Sequence, residues 1–122
     1  MAEEFPKNNL EKTLTDLDSP GPEGHLVIDV FEKNNEIIVQ SAIAGVREKD
    51  IDISLSKDAL TIKGIRNKLE ETNSHDYLHQ EIHWGQFSRS IILPTEIDVD
   101  QAKATVKNGL LTIRLSKLAK KV

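Results

Sequence analysis

Cysteine is absent from the 122 residues, which excludes disulfides, thiol catalysis and Cys-ligated zinc at one stroke and fits a reducing compartment. Aromatic residues are scarce, at 4%, so a core must be assembled from Ile, Leu, Val and Ala rather than from rings. No apolar run approaches the roughly 18 to 20 residues that a membrane span needs. The acidic, polar start "MAEEFPKNNL" lacks the basic and apolar regions of a signal peptide. The expectation is a cytoplasmic protein with no membrane span. Positive charge is also in deficit: a net charge of -4 gives no electrostatic reason to hold a phosphate backbone, so no nucleic-acid partner is expected. What is present, 38% hydrophobic and 30% charged residues, is enough apolar material to fold, and the length fits one domain with a modest core.

The chain reads as a polar arm followed by a β domain. In the arm, Leu10, Leu14 and Leu17 recur at i, i+4, i+7 downstream of Phe5, which suits either a frayed tail or a short amphipathic segment that docks on partners. "SPGPEG" (19–24) is a linker by its Pro and Gly content. From His25 onward the period is two. "LVIDVF" (26–31) and "EIIVQSAI" (36–43) flank the turn-rich "EKNN"; "IDISLS" (51–56), "LTIKG" (60–64) and "FSRSIILP" (87–94) alternate in the same way. Seven or eight short strands with tight turns predict an all-β, antiparallel sandwich.

"ATVKNGLLTIRLSK" (104–117) can be read down to register. With Asn108 and Gly109 as the turn, Lys107 faces Leu110, Val106 faces Leu111, Ala104 faces Ile113 and Ala102 faces Leu115. A slip of one residue would expose all of those apolar side chains.

Chemistry is poorly supplied. His75, His79 and His83 fall at i, i+4, i+8, which can gather imidazoles, but the bland reading is solvated histidines on an exposed flap. No "HExxH", "GxSxG" or Gly-rich phosphate loop is present, so no catalytic residue, metal or cofactor is assigned, and no enzymatic activity is expected. Asp50 and Asp52, and Asp98 and Asp100, read as solvated turn carboxylates. Arg89 shares parity with Phe87, Ile91 and Leu93. It either snorkels at a sheet rim or pairs with a carboxylate of another strand or chain.

"ATVKNGLLTIRL" resembles the A-x-x-x-N-G-V-L signature of the α-crystallin domain of small heat-shock proteins, with Ala104, Asn108, Gly109 and Leu111 in place. "VIDVFE", "LTIKGIR" (60–66) and "GQFSRSIILP" (85–94) agree with further family blocks in the same order. The resemblance covers roughly residues 25–117 and implies an immunoglobulin-like antiparallel β-sandwich with a short N-terminal arm. It implies an ATP-independent holdase that binds unfolding proteins; the alternative is a CS-domain-like co-chaperone or adaptor on a defined folded partner. Domain bounds follow as arm and linker 1–24, α-crystallin domain 25–117 and tail 118–122.

The resemblance further implies a homodimer in which a loop strand crosses to the partner's first strand. Here the crossing strand would be Asp76, Tyr77, Leu78, His79, Gln80, Glu81 and Ile82, received near Leu26 and Ile28, with Arg89 matching the family's interface arginine. Clients would meet Phe5, Leu10, Leu14 and Leu17. Leu55, Ala104, Val106, Asn108, Gly109 and Leu111 mark the groove and hairpin motif. Ala44 stands where the family usually has Pro, Ser116-Lys117 where it has Pro-Lys, and "LAKKV" lacks the Ile-x-Ile hook. The missing hook and the short N-terminal arm would favour dimers or small, labile assemblies over large cages.

Overall fold

The computed structural model describes residues 3–4, 24–68 and 77–118. Nine strands run through them in chain order: β1 (Glu3–Glu4), β2 (Gly24–His25), β3 (Asp29–Lys33), β4 (Glu36–Ala42), β5 (Ile51–Leu55), β6 (Ala59–Arg66), β7 (Gly85–Ile92), β8 (Lys103–Lys107) and β9 (Leu110–Ser116). They form two sheets, ordered β1-β8-β9-β4-β3 and β2-β7-β6-β5. The β2–β7 pair is parallel, and the other pairs are antiparallel. The predicted all-β sandwich is therefore the observed architecture.

Local sequence explains the turns. Asn108 has φ +53° and Gly109 φ +76°, the two left-handed residues a two-residue hairpin requires. The register is as the alternation predicts: Lys107 opposes Leu110, Val106 opposes Leu111 and Ala104 opposes Ile113. Ala102 is the exception. A 3₁₀ turn at Val99–Gln101 keeps it off the ladder, although it still packs on the core. The β3–β4 connection is tighter than expected, a turn at Asn34-Asn35 with Asn34 at φ +56°. As a result the strand expected over 26–31 sits later, at Asp29–Lys33. Leu26 belongs instead with the other sheet, its N–H donating to Ser88 O at 3.3 Å.

The core is aliphatic, as the shortage of rings demands. Ile37, Val39, Leu111, Ile113 and Leu115 from one sheet meet Ile51, Leu60, Ile62 and Phe87 from the other, all buried. Complete burial of such side chains stabilises by roughly 1.5 to 3 kcal/mol each. Phe87 is accommodated because its register partner is Gly64. A Cβ at position 64 would run into the Phe87 ring and lie 2.8 Å from Asp50 O. Ser41, buried on the same face, donates its hydroxyl to Val27 O at 2.8 Å, so it costs little.

The carboxylates divide. Asp98 caps the 3₁₀ turn by accepting from Asp100 N at 3.1 Å, and Asp50 accepts from Arg47 Nε at 3.1 Å. Asp52 differs from the expectation of a solvated turn group: it is 3% exposed, inside the β5–β6 ladder opposite Lys63.

Candidate functional site

Among the described residues, strand edges and one irregular segment are the surface open to pairing with a further strand. β3 ends the five-stranded sheet, and every one of its residues is exposed. Its edge carries Val30 and Phe31, 45% and 42% exposed. An open edge with apolar residues is a template for another strand. β5 ends the other sheet, where Leu55 and Ile53 are half-buried against the core. Ala104 and Val106 of β8 pack against that same core, and β1 lies along the outer edge of β8, with Glu3 opposite Val106 and Glu4 opposite Thr105.

Between β6 and β7, residues 77–84 form no strand within the chain. Tyr77, Leu78, His79, Gln80, Glu81 and Ile82 are all exposed, Leu78 to 95% and Ile82 to 61%. Two isobutyl-sized groups in water on a segment without ladder bonds call for a partner surface. At its upstream end the Lys68 ammonium lies over the Tyr77 ring, 4.7 Å from the centroid. Asp76 and His75 lie outside the described residues, as do Phe5, Leu10, Leu14 and Leu17. Of the remaining flap histidines, His79 is exposed, whereas His83 is half-buried and engages Gln86 O through Nε2 at 2.6 Å.

Arg89 resolves its parity problem within the chain. Its Nη1 donates to Leu26 O at 3.2 Å and to His25 Nε2 at 2.9 Å. A guanidinium has no acceptor, so His25 presents the lone pair of Nε2 and carries its hydrogen on Nδ1. Among the described residues the partners are thus an imidazole and a carbonyl, where a carboxylate was one expectation. Leu26, expected at a seam, is 6% exposed in the chain's own core, with Ile28 packed against that core. What this stretch offers a partner is the backbone edge that follows, Asp29–Lys33.

Sequence reasoning missed Arg66, which donates to Ala44 O at 2.9 Å and His83 O at 3.1 Å and lies over the Phe87 ring at 5.7 Å. A lone Arg closing an alternating strand gives no periodic signal. The end of "LTIKGIR" (60–66) was the only trace. Among the described residues no group of His, Asp and Glu is placed to hold a metal ion, and no helix is long and apolar enough to cross a membrane.

Two stacked sheets, an Asn-Gly hairpin closing the last pair of strands, a buried Phe over a glycine and a long strandless excursion before β7 define an immunoglobulin-like sandwich of the α-crystallin type. Residues 29–122 match the Hsp20/alpha crystallin family, and the chain belongs to it. It is 34% identical over 89 residues to small heat shock protein C4 of Rickettsia felis, covering 73% of this chain and 55% of that one. Among solved structures it resembles heat shock protein 16.0 from Schizosaccharomyces pombe, with TM-score 0.71 and 31% identity over 82% of this chain and 93% of that one. It also resembles hspA from Xanthomonas axonopodis, with TM-score 0.70 and 27% identity over 79% and 96% of the two chains. The chain spans a little over half the length of the first curated relatives it matches, 55%, 58% and 53%.

Proposed function

We propose that this chain is an ATP-independent holdase, which binds unfolding proteins and keeps them from aggregating. The observation that carries the reading is membership of the Hsp20/alpha crystallin family over residues 29–122. Apolar side chains of the arm would cover apolar surface on a client, and each 100 Å² buried contributes about 2.5 kcal/mol before entropic costs. Holding of this kind is stoichiometric binding, so it needs no cofactor and no catalytic residue. None of the observations above favours the CS-domain-like adaptor.

The unit is a homodimer or small oligomer in which segment 76–82 of one copy lies on the β3 edge of the other, with Arg89 fixing the chain just before that edge. Phe5, Leu10, Leu14 and Leu17 of the arm 1–24 take part in client capture, with 25–117 as the sandwich and 118–122 as the tail. Leu55, Ala104 and Val106 border a groove that also receives extended segments; Asn108, Gly109 and Leu111 hold its hairpin in register. The working compartment is the cytoplasm. The test is light scattering of a heat-labile enzyme at rising molar ratios of this protein, without nucleotide. Suppression approaching stoichiometric amounts is expected, and none at excess would contradict the reading.

A further inference from the structure

Segment 77–82 has no ladder bonds, so the direction in which it leaves the sandwich is decided where it is anchored. Upstream, among the described residues, the Lys68 ammonium over the Tyr77 ring contributes to the anchor, a contact worth about 0.5 to 1 kcal/mol in general. Downstream it is built from several described groups. Arg66, the last residue of β6, donates Nη1 to His83 O at 3.1 Å and Nε to Ala44 O at 2.9 Å. Its guanidinium lies over the Phe87 ring, 5.7 Å from the centroid, and that ring is fixed in the core. Both bonds are charge-assisted, the stronger kind.

His83 extends the anchor in two further directions. Its Nε2 lies 2.6 Å from Gln86 O. A carbonyl only accepts, so Nε2 carries the hydrogen. The same ring rests on the backbone of Gly24 in β2, in the space where a Cβ at that position would have to go. Gly85 then turns the chain at φ +106°, a conformation open to glycine, directly into β7. The end of β6, the Ala44 loop, β2 and the start of β7 therefore converge on two side chains at the root of the segment.

We propose that Arg66 and His83 are positioning residues that aim segment 77–82 at a second copy of this chain, with Gly24 the small residue that seats the His83 ring. The proposal rests on the reading that this segment crosses between copies. Losing the clamp leaves the sandwich intact but lets the segment sample other directions, so association must first re-order it.

Sedimentation velocity on a dilution series of the full chain tests this, with Arg66→Ala, Arg66→Lys, Gly24→Ala, His83→Ala and the Gly24→Ala/His83→Ala double variant. Arg66→Ala is expected to weaken the dimer about tenfold per segment, about a hundredfold for the pair of segments, the scale of one charge-assisted bond each. Arg66→Lys restores only part, because an ammonium lacks the fork that reaches both carbonyls. Gly24→Ala displaces the ring, so it weakens the dimer in the parent chain and has no further effect once His83 is Ala. Thermal unfolding at concentrations where every variant is monomeric shows little change for Gly24→Ala and His83→Ala. Unaltered dimer constants in folded variants, or Gly24 and His83 effects that simply multiply, would overturn the proposal. A parent chain that stays monomeric at every concentration would overturn the crossing reading and this proposal with it.

Discussion

The β3 edge admits a perturbation that separates association from folding. A two-residue turn at Asn34-Asn35 makes Lys33 and Glu36 the first hydrogen-bonded pair of the β3–β4 hairpin. Antiparallel pairs alternate, so Phe31 and Asp29 also bond to β4, while the N–H and C=O groups of Glu32 and Val30 point away from it. Val30→Pro therefore removes an outward donor and spares the hairpin's own ladder, a placement proline tolerates on edges. Phe31→Pro breaks the ladder itself. If a segment from a second copy pairs with this edge, Val30→Pro deletes one hydrogen bond per seam and two per symmetric dimer. At roughly 0.5 to 1.5 kcal/mol each, that is about 1 to 3 kcal/mol, or about five- to 150-fold in Kd. Sedimentation equilibrium reads the Kd, and circular dichroism with thermal unfolding at high dilution reads the fold. The expected pattern is a weakened dimer with an intact sandwich for Val30→Pro and a lowered unfolding midpoint for Phe31→Pro. A folded Val30→Pro variant with the parent's Kd would refute the use of this edge.

Gly64→Ala is expected to destabilise by about 1 to 3 kcal/mol, because the new methyl meets the buried Phe87 ring on one side and Asp50 O on the other; urea unfolding checks it, and an unchanged midpoint would contradict the packing described. Gly109→Ala, at φ +76°, should cost about 1 to 2 kcal/mol by the same assay, since a Cβ is strained there and the site also lies 3.4 Å from Ala44. Leu111→Ala, at a fully buried position paired with Val106 and Ser41, should cost about 2 to 5 kcal/mol, with a loss under 1 kcal/mol counting against its place in the core. Deleting residues 1–18 is expected to reduce protection of an aggregating client in light scattering while leaving the dimer in sedimentation; full protection would remove Phe5, Leu10, Leu14 and Leu17 from the client surface.

What could be read from the sequence was whatever repeats or is forced. The Asn-Gly hairpin left one register for Ala104, Val106, Leu111 and Ile113, because any other puts apolar groups in water. Phe87 and Leu93 declared their burial by parity. β1 and β2 could not be seen, since two residues have no period, and both exist through pairing with distant strands. Alternation alone also misplaced the first long strand by about three residues: Leu26 and Val30 fit one pleat on paper, but Leu26 sits in the core while Val30 lies on the edge. Asp52 followed the polar parity of β5 yet is buried, which shows that the outer face of that sheet is not uniformly wet. At the candidate site the exposure of 77–82 was legible as a polar flap, but the absence of a strand within the chain and the anchor of the segment were not. Arg66 and His83 act through backbone carbonyls, and a carbonyl is the same at every residue.

The absence of cysteine makes the decisive measurement clean, because any disulfide formed must use introduced thiols. Two batches would be mixed and gently oxidised, one carrying Val30→Cys on the β3 edge and the other Leu78→Cys or Ile82→Cys on the exposed segment, with Ile92→Cys as an exposed control. A disulfide between the two different variants is expected to form faster than any pairing with the control. Equal rates for all pairs would contradict the claim that one copy's 77–82 segment lies on the β3 edge of the other.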